Sequence, residues 1–268
     1  MNLSAERIAT AIALAVPAAG GVQRAFGTDA KSLQVGFAVG AGLRAAALAA
    51  AGASADDEAL DAWLPLVGAK PGGLDLIGPA VPDGLAIKMY PCCYALQRPI
   101  SAIAELTETG LDADDVFRIE VRTPEATVVP LIHHRPDTGL QGKFSLEYAV
   151  AAALLDRSPG FASFTDAAVG RPAARRLVGL VETELDPGGD GLLDGQLQLR
   201  IHRGNGVVDH AELQYPPGSP ARPPSAAQLS AKLADCVPGL DTDWSAWTWQ
   251  NAADVLREFL PRSGVAQP

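Results

Sequence analysis

Five residues have types and settings suited to moving or neutralising charge: Lys31, Lys88, Tyr148, Gln97 and Arg98. Lys31 falls at the start of a predicted helix, in the run GTDAK. The positive end of a helix dipole disfavours a cation there. An anion at that end would be held by free amides and the ammonium together, so Lys31 reads as an anion-binding lysine or as an ordinary solvated one. Lys88 precedes Tyr90-Pro91-Cys92-Cys93, and the fixed φ of Pro91 stiffens the turn that aims it. Tyr148, in FSLEY, reads as a proton donor or as a core aromatic with a satisfied hydroxyl. Arg98 could grip a carboxylate with two parallel hydrogen bonds. Gln97 could orient a ligand by hydrogen bonds but cannot exchange protons at neutral pH as a histidine does. Side chains of these types can hold anionic groups and donate protons to them.

Other reactive side chains point to less. Cys92 and Cys93 read as buried packing residues. His133 and His134 are adjacent on a loop, so an extended chain turns them to opposite sides and at most one faces any site. His202 and His210 flank a predicted hairpin and read as solvent-facing or structural. No nucleophile elbow and no phosphate-cradling glycine loop are present. Three cysteines without metal-ligand spacing form neither a disulfide framework nor a zinc site, and a reducing cytoplasm is the compartment expected from them.

Several elements must position these groups. Residues 3–19 predict a helix with Ser4 as its N-cap, ended by Pro17 and Gly20-Gly21. Residues 31–52 predict a second helix, small and apolar nearly all round, hence a buried one. A short helix over 56–67 ends near Gly68, and the Gly/Pro-rich stretch 70–84 reads as a boundary or long loop. A helix is expected after Pro99, a half-buried strand over 117–123, and a small-residue helix in FSLEYAVAAALLD. Residues 164–182 predict a further helix with a possible strand at its end. Two strands follow, joined by Gly204-Asn205-Gly206, a strong hairpin signal. Residues 216–224 read as a linker, and helices are expected over 225–236 and 246–260. The fold class is α+β, in three parts: a helical segment over 1–72, an α/β domain over 73–222, and helices over 223–268 that return to the first part.

At 268 residues with 48% hydrophobic and 19% charged residues, the chain can bury a substantial core. The net charge of −10 leaves no basic run for nucleic acid or an anionic membrane surface, so any cationic site must be local. No uninterrupted apolar run of about 18 residues predicts a membrane-spanning helix, and the N-terminus lacks the pattern of a secretory signal.

Three stretches stand in a fixed order: GTDAKSLQVGFAVGAGLRAAALAAAG at 27–52, IKMYPCCYALQRPISAIAEL at 87–106 and TGLQGKFSLEYAVAAALLD at 138–156. The tail YPPGSPARPPSAAQLSAKLADC follows them. In that order and spacing the chain resembles the MmgE/PrpD family of cofactor-free lyases and isomerases, which includes 2-methylcitrate dehydratase, cis-aconitate decarboxylase and iminodisuccinate epimerase. The resemblance implies part of an all-helical domain with an inserted α/β domain, no metal or other cofactor, and a small polycarboxylate as substrate. It places Lys31, Lys88 and Tyr148 at cleft positions as catalytic residues; Gln97 and Arg98 are expected to bind substrate by their own chemistry, Arg98 being a charge new to this position. The family typically has a histidine at the position of Gln97 and, in many members, an aspartate at that of Ser101. The family also has a helical region ahead of GTDAK that supplies part of its active site, so the resemblance implies a homodimer or a partner supplying that half. Three readings follow: a lyase or isomerase, an inactive family member or subunit of a split enzyme, and a binding protein without turnover.

Overall fold

The computed structural model describes residues 2–69, 84–107, 110–189, 191, 192, 194–237 and 248. The 72/73 boundary, most of the 70–84 loop and the expected 246–260 helix lie outside the described residues. Along the chain come helices α1 (Ala5–Ala15), α2 (Ala30–Ala50) and α3 (Ala59–Trp63), then α4 (Gln97–Thr107) and strand β1 (Val116–Pro124). Short α5 (Glu125–Val128) and α6 (Gly139–Gly142), long α7 (Leu146–Asp156), and short α8 (Asp166–Val169) and α9 (Pro172–Val178) follow. The chain then runs through β2 (Val181–Asp186), β3 (Leu197–Arg203), β4 (Val208–Leu213) and α10 (Ala226–Cys236). This is the α+β class expected from the sequence.

The sheet has the order β2-β1-β3-β4. β1 and β2 run parallel, with Ile119 opposite Val181, while β3 runs antiparallel to both β1 and β4. One face is apolar, because Ile119, Val121, Leu197, Leu199 and Ile201 alternate inward and are all buried. α4 packs against β3 and β4, and α7 lies between α4 and α9. The run Ala149–Ala153 on α7 is fully buried, since small side chains let neighbouring helices close on it from both sides. The other face is charged. Arg118 and Arg122 on β1 bind Glu182 and Asp186 on β2, each at 2.7 Å. These pairs are exposed and add little stability, but they give the sheet a solvated face.

Local signals explain most element ends. Ser4, Ser145 and Ser225 accept hydrogen bonds from Arg7, Tyr148 and Gln228 backbone amides, capping α1, α7 and α10. α4 starts two residues before Pro99, because an imino nitrogen in the first turn forfeits no helical bond. The helix expected within 164–182 is two short ones, broken where Arg171 adopts the extended conformation imposed by Pro172.

The expectation of a buried α2 is corrected. Only Ala41, Ala45 and Ala49 are buried, on one stripe facing α1. Leu33, Val35, Phe37, Val39, Leu43 and Leu48 are each more than half exposed. A helix apolar all round reveals that it wants cover, and α1 supplies that cover on a single side. By length and composition α2 would also reach across a bilayer, although Lys31, Gln34 and Arg44 interrupt its apolar run. Here it packs along α1, where the Arg7 guanidinium donates to the carbonyl of Ala49.

Candidate functional site

Lys31 and Lys88 meet at one cavity, although 56 residues separate them in GTDAK and KMYP. Lys31 sits in the first turn of α2. That turn is fixed from below: His133 Nε2 bonds the Phe26 carbonyl at 2.9 Å, and the rings of Phe26 and Phe144 lie 4.8 Å apart. Gly27 between them has φ +82, and a Cβ there would collide with the His133 imidazole, so only glycine lets the helix start reach this loop. His133 is therefore structural. His134 points away to Glu147 at 2.9 Å, as adjacent side chains on an extended loop should.

Lys88 is carried by an extended segment held at both ends. The amide of Ile87 donates to the Gly218 carbonyl at 2.7 Å. Gly218 has φ +89, and a Cβ there would strike the carbonyl of Ile87. On the far side, Gln97 clamps the Tyr90 turn. Its Oε1 accepts from the Tyr90 amide at 3.0 Å and its Nε2 donates to the Tyr90 carbonyl at 3.1 Å. The Cys93 amide then donates to the Lys143 carbonyl at 2.9 Å, joining this turn to the end of α6.

The resulting cavity has a volume of about 320 Å³ and is walled by Lys31, Lys88, Lys143, Lys232, Cys93 and Phe161, among others. An adjoining space shares Lys31, Lys88, Cys93 and Phe144 and is closed by Phe26, Val129, Pro130 and Leu192. Both lie in the size range of small-molecule sites. No Asp or Glu among the described residues lines either space. Among the described residues none of the four lysines pairs with a carboxylate. In a chain of net charge −10, this is a local cluster of cations without counterions among the described residues. Burial pushes the thiols of Cys92 and Cys93 up, and for Cys93 the charges of Lys88 and Lys31 pull only partly against it. Both are neutral thiols at neutral pH. Among the described residues no group of His, Cys, Asp and Glu could hold a metal ion.

The other three expected site residues lie elsewhere. Tyr148 is fully buried, edge-on to Phe164, and its hydroxyl donates to the Ser163 carbonyl. Burial raises its pKa, a nearby Arg171 opposing the shift, and it lines neither of the lysine-bearing spaces. Gln97 has no exposed surface, and its amide is occupied by Tyr90 and by Cys92 Sγ at 3.5 Å. Arg98 is equally buried. Its guanidinium donates to the carbonyls of Leu192, Asp194 and Gly195 and to Thr127 Oγ1, at 2.7–3.3 Å. Both are positioning residues behind the cavity wall: Gln97 sets the turn bearing Lys88 and Cys93, and Arg98 sets the loop bearing Leu192. The multi-donor groups that suggested carboxylate binding fit backbone carbonyls equally well.

Lys143 and Lys232 were not singled out from the sequence. Lys143 is the C-cap of α6, and Lys232 is on α10, well beyond the hairpin. A cation in the TGLQGK run beside the FSLEY helix was the only signal for the first, and the second had none.

The family model described as MmgE/PrpD C-terminal domain matches residues 90–256. The match takes in Lys143 and Lys232 and begins two residues after Lys88. No curated protein matches the chain.

Proposed function

Since the chain belongs to the MmgE/PrpD family, which includes dehydratases and related lyases, we propose that it is a cofactor-free lyase or isomerase of a small di- or tricarboxylate. The reaction is proton abstraction alpha to a carboxylate. One observation carries this reading: Lys31 and Lys88, from separate elements, line one cavity that has no carboxylate among the described residues. Two ammonium groups neutralise the substrate's carboxylates and stabilise the enolate-like charge that grows as the proton leaves. With its hydroxyl committed to Ser163, Tyr148 is not the group that moves the proton in this reading, and the lysines act as the ammonium counter-charges.

The test is exchange of substrate alpha-protons in deuterated water, followed by proton NMR across a panel of di- and tricarboxylates. Exchange with at least one of them is expected. Binding measured by calorimetry with no exchange for any of them would sink the catalytic reading and leave a binding protein.

A second reading concerns assembly. The apolar residues of α2 that α1 leaves open supply a surface for a second chain, either a copy of this one or a partner completing the site. Sedimentation of the purified chain is expected to show species above the monomer mass. A sharp monomer at micromolar concentration would count against this.

A further inference from the structure

We infer that Lys143 and Lys232 are specificity-determining residues which read the number of anionic groups on the ligand, selecting three over two. The inference rests on the polycarboxylate reading and goes beyond it in assigning the second half of the charge cluster. Four lysines face one cavity, and among the described residues none has a carboxylate partner. Two carboxylates balance Lys31 and Lys88. Two further ammonium groups then remain in a partly enclosed space, where like charges repel and are screened less than at an open surface. A third anionic group relieves that repulsion, so the surplus charge is worth most to a ligand that carries one.

The placement of both lysines is built rather than incidental. Lys143 has its backbone carbonyl held by the Cys93 amide, and its Nζ lies 5.7 Å from the centre of the Phe161 ring. Phe161 in turn donates its amide to both carboxylate oxygens of Asp235, at 3.2 and 3.4 Å. Asp235 is three residues after Lys232 on α10, so this contact fixes the turn of α10 that brings Lys232 to the cavity. α10 buries none of its residues. Its seat on the rest of the fold is slight, and a ligand bound by Lys232 adds to what holds it.

The experiment uses two probes with one carbon skeleton, propane-1,2,3-tricarboxylate and propane-1,3-dicarboxylate, and isothermal titration calorimetry on the full chain. The wild type is expected to bind the tricarboxylate at least about tenfold tighter. Lys232→Met and Lys143→Met are each expected to cut that ratio to below about threefold. Lys232→Arg, which keeps the charge, should retain it, and Lys31→Met should weaken both probes together. Hydrogen exchange over 226–236 should slow with the tricarboxylate in the wild type and not in Lys232→Met. Equal binding of the two probes by the wild type, or a ratio that survives both methionine variants, overturns the inference while leaving the polycarboxylate reading intact. A folded wild type that binds neither probe overturns both.

Discussion

Replacing Arg98 by methionine should lower the unfolding free energy by about 2–4 kcal/mol, read as a reduced urea midpoint. The direction comes from two opposing terms. Arg98 makes four hydrogen bonds, three of them to carbonyls of the 192–195 loop. Bonds involving a charged group contribute about 1.5–3 kcal/mol each. Against this stands the cost of burying a guanidinium, several kcal/mol for an ion in a protein interior. Burial also depresses the Arg98 pKa, with nearby Asp194 opposing the shift. Methionine removes that cost but takes away the guanidinium donor from the Asp194 and Gly195 carbonyls and the Thr127 hydroxyl, while Leu192 keeps the Thr127 hydroxyl at 3.3 Å, and the sum stays unfavourable. Lysine should not rescue, since one ammonium lacks the planar fork that reaches all four acceptors. The loop held this way brings Leu192 to the space beside Lys31 and Lys88, so ligand affinity should fall with stability. An unchanged midpoint would show that the loop is held by something else.

Lys31→Met and Lys88→Met should each slow alpha-proton exchange by about 10²–10³-fold, the scale seen when one preorganised charge-stabilising donor is lost. Their stability should move by no more than about 0.5 kcal/mol, as expected for surface changes outside core and cap positions. Lys88 is solvent-exposed and Lys31 half-buried, and neither side chain is in an ion pair among the described residues. Affinity for the ligand should fall as salt rises, because the attraction is between charges that solvent still reaches. A variant that exchanges protons at the wild-type rate would remove that lysine from the mechanism.

Much of the scaffold was legible because it is written locally. Gly204-Asn205-Gly206 marks the β3–β4 hairpin, alternation marks β1, and Ser145 and Ser225 mark two helix starts. β2 was seen only as a possible strand, since its open-face charges are legible only beside their partners Arg118 and Arg122. The burial of α2 could not be read from its composition, because that depends on which neighbours arrive. The site was half legible. Lys31 and Lys88 sit in recognisable runs, whereas Lys143 and Lys232 reach the cavity through the Cys93–Lys143 and Phe161–Asp235 contacts, which join segments far apart in the chain. Gln97 and Arg98 show the reverse case: their chemistry was visible and their burial was not.

The parallel pairing of β1 with β2 has a consequence for the growing chain. A strand in the middle of a sheet needs two partners, and β1 takes one from each side. β2 becomes available only after residues 125–180 have been made, and β3 only after β2. A protein leaving the ribosome therefore holds β1 with one ladder unmade until synthesis passes residue 203. Over that interval the open edge of β1 is a template for pairing with another nascent chain, and closing it falls to the hairpin that follows.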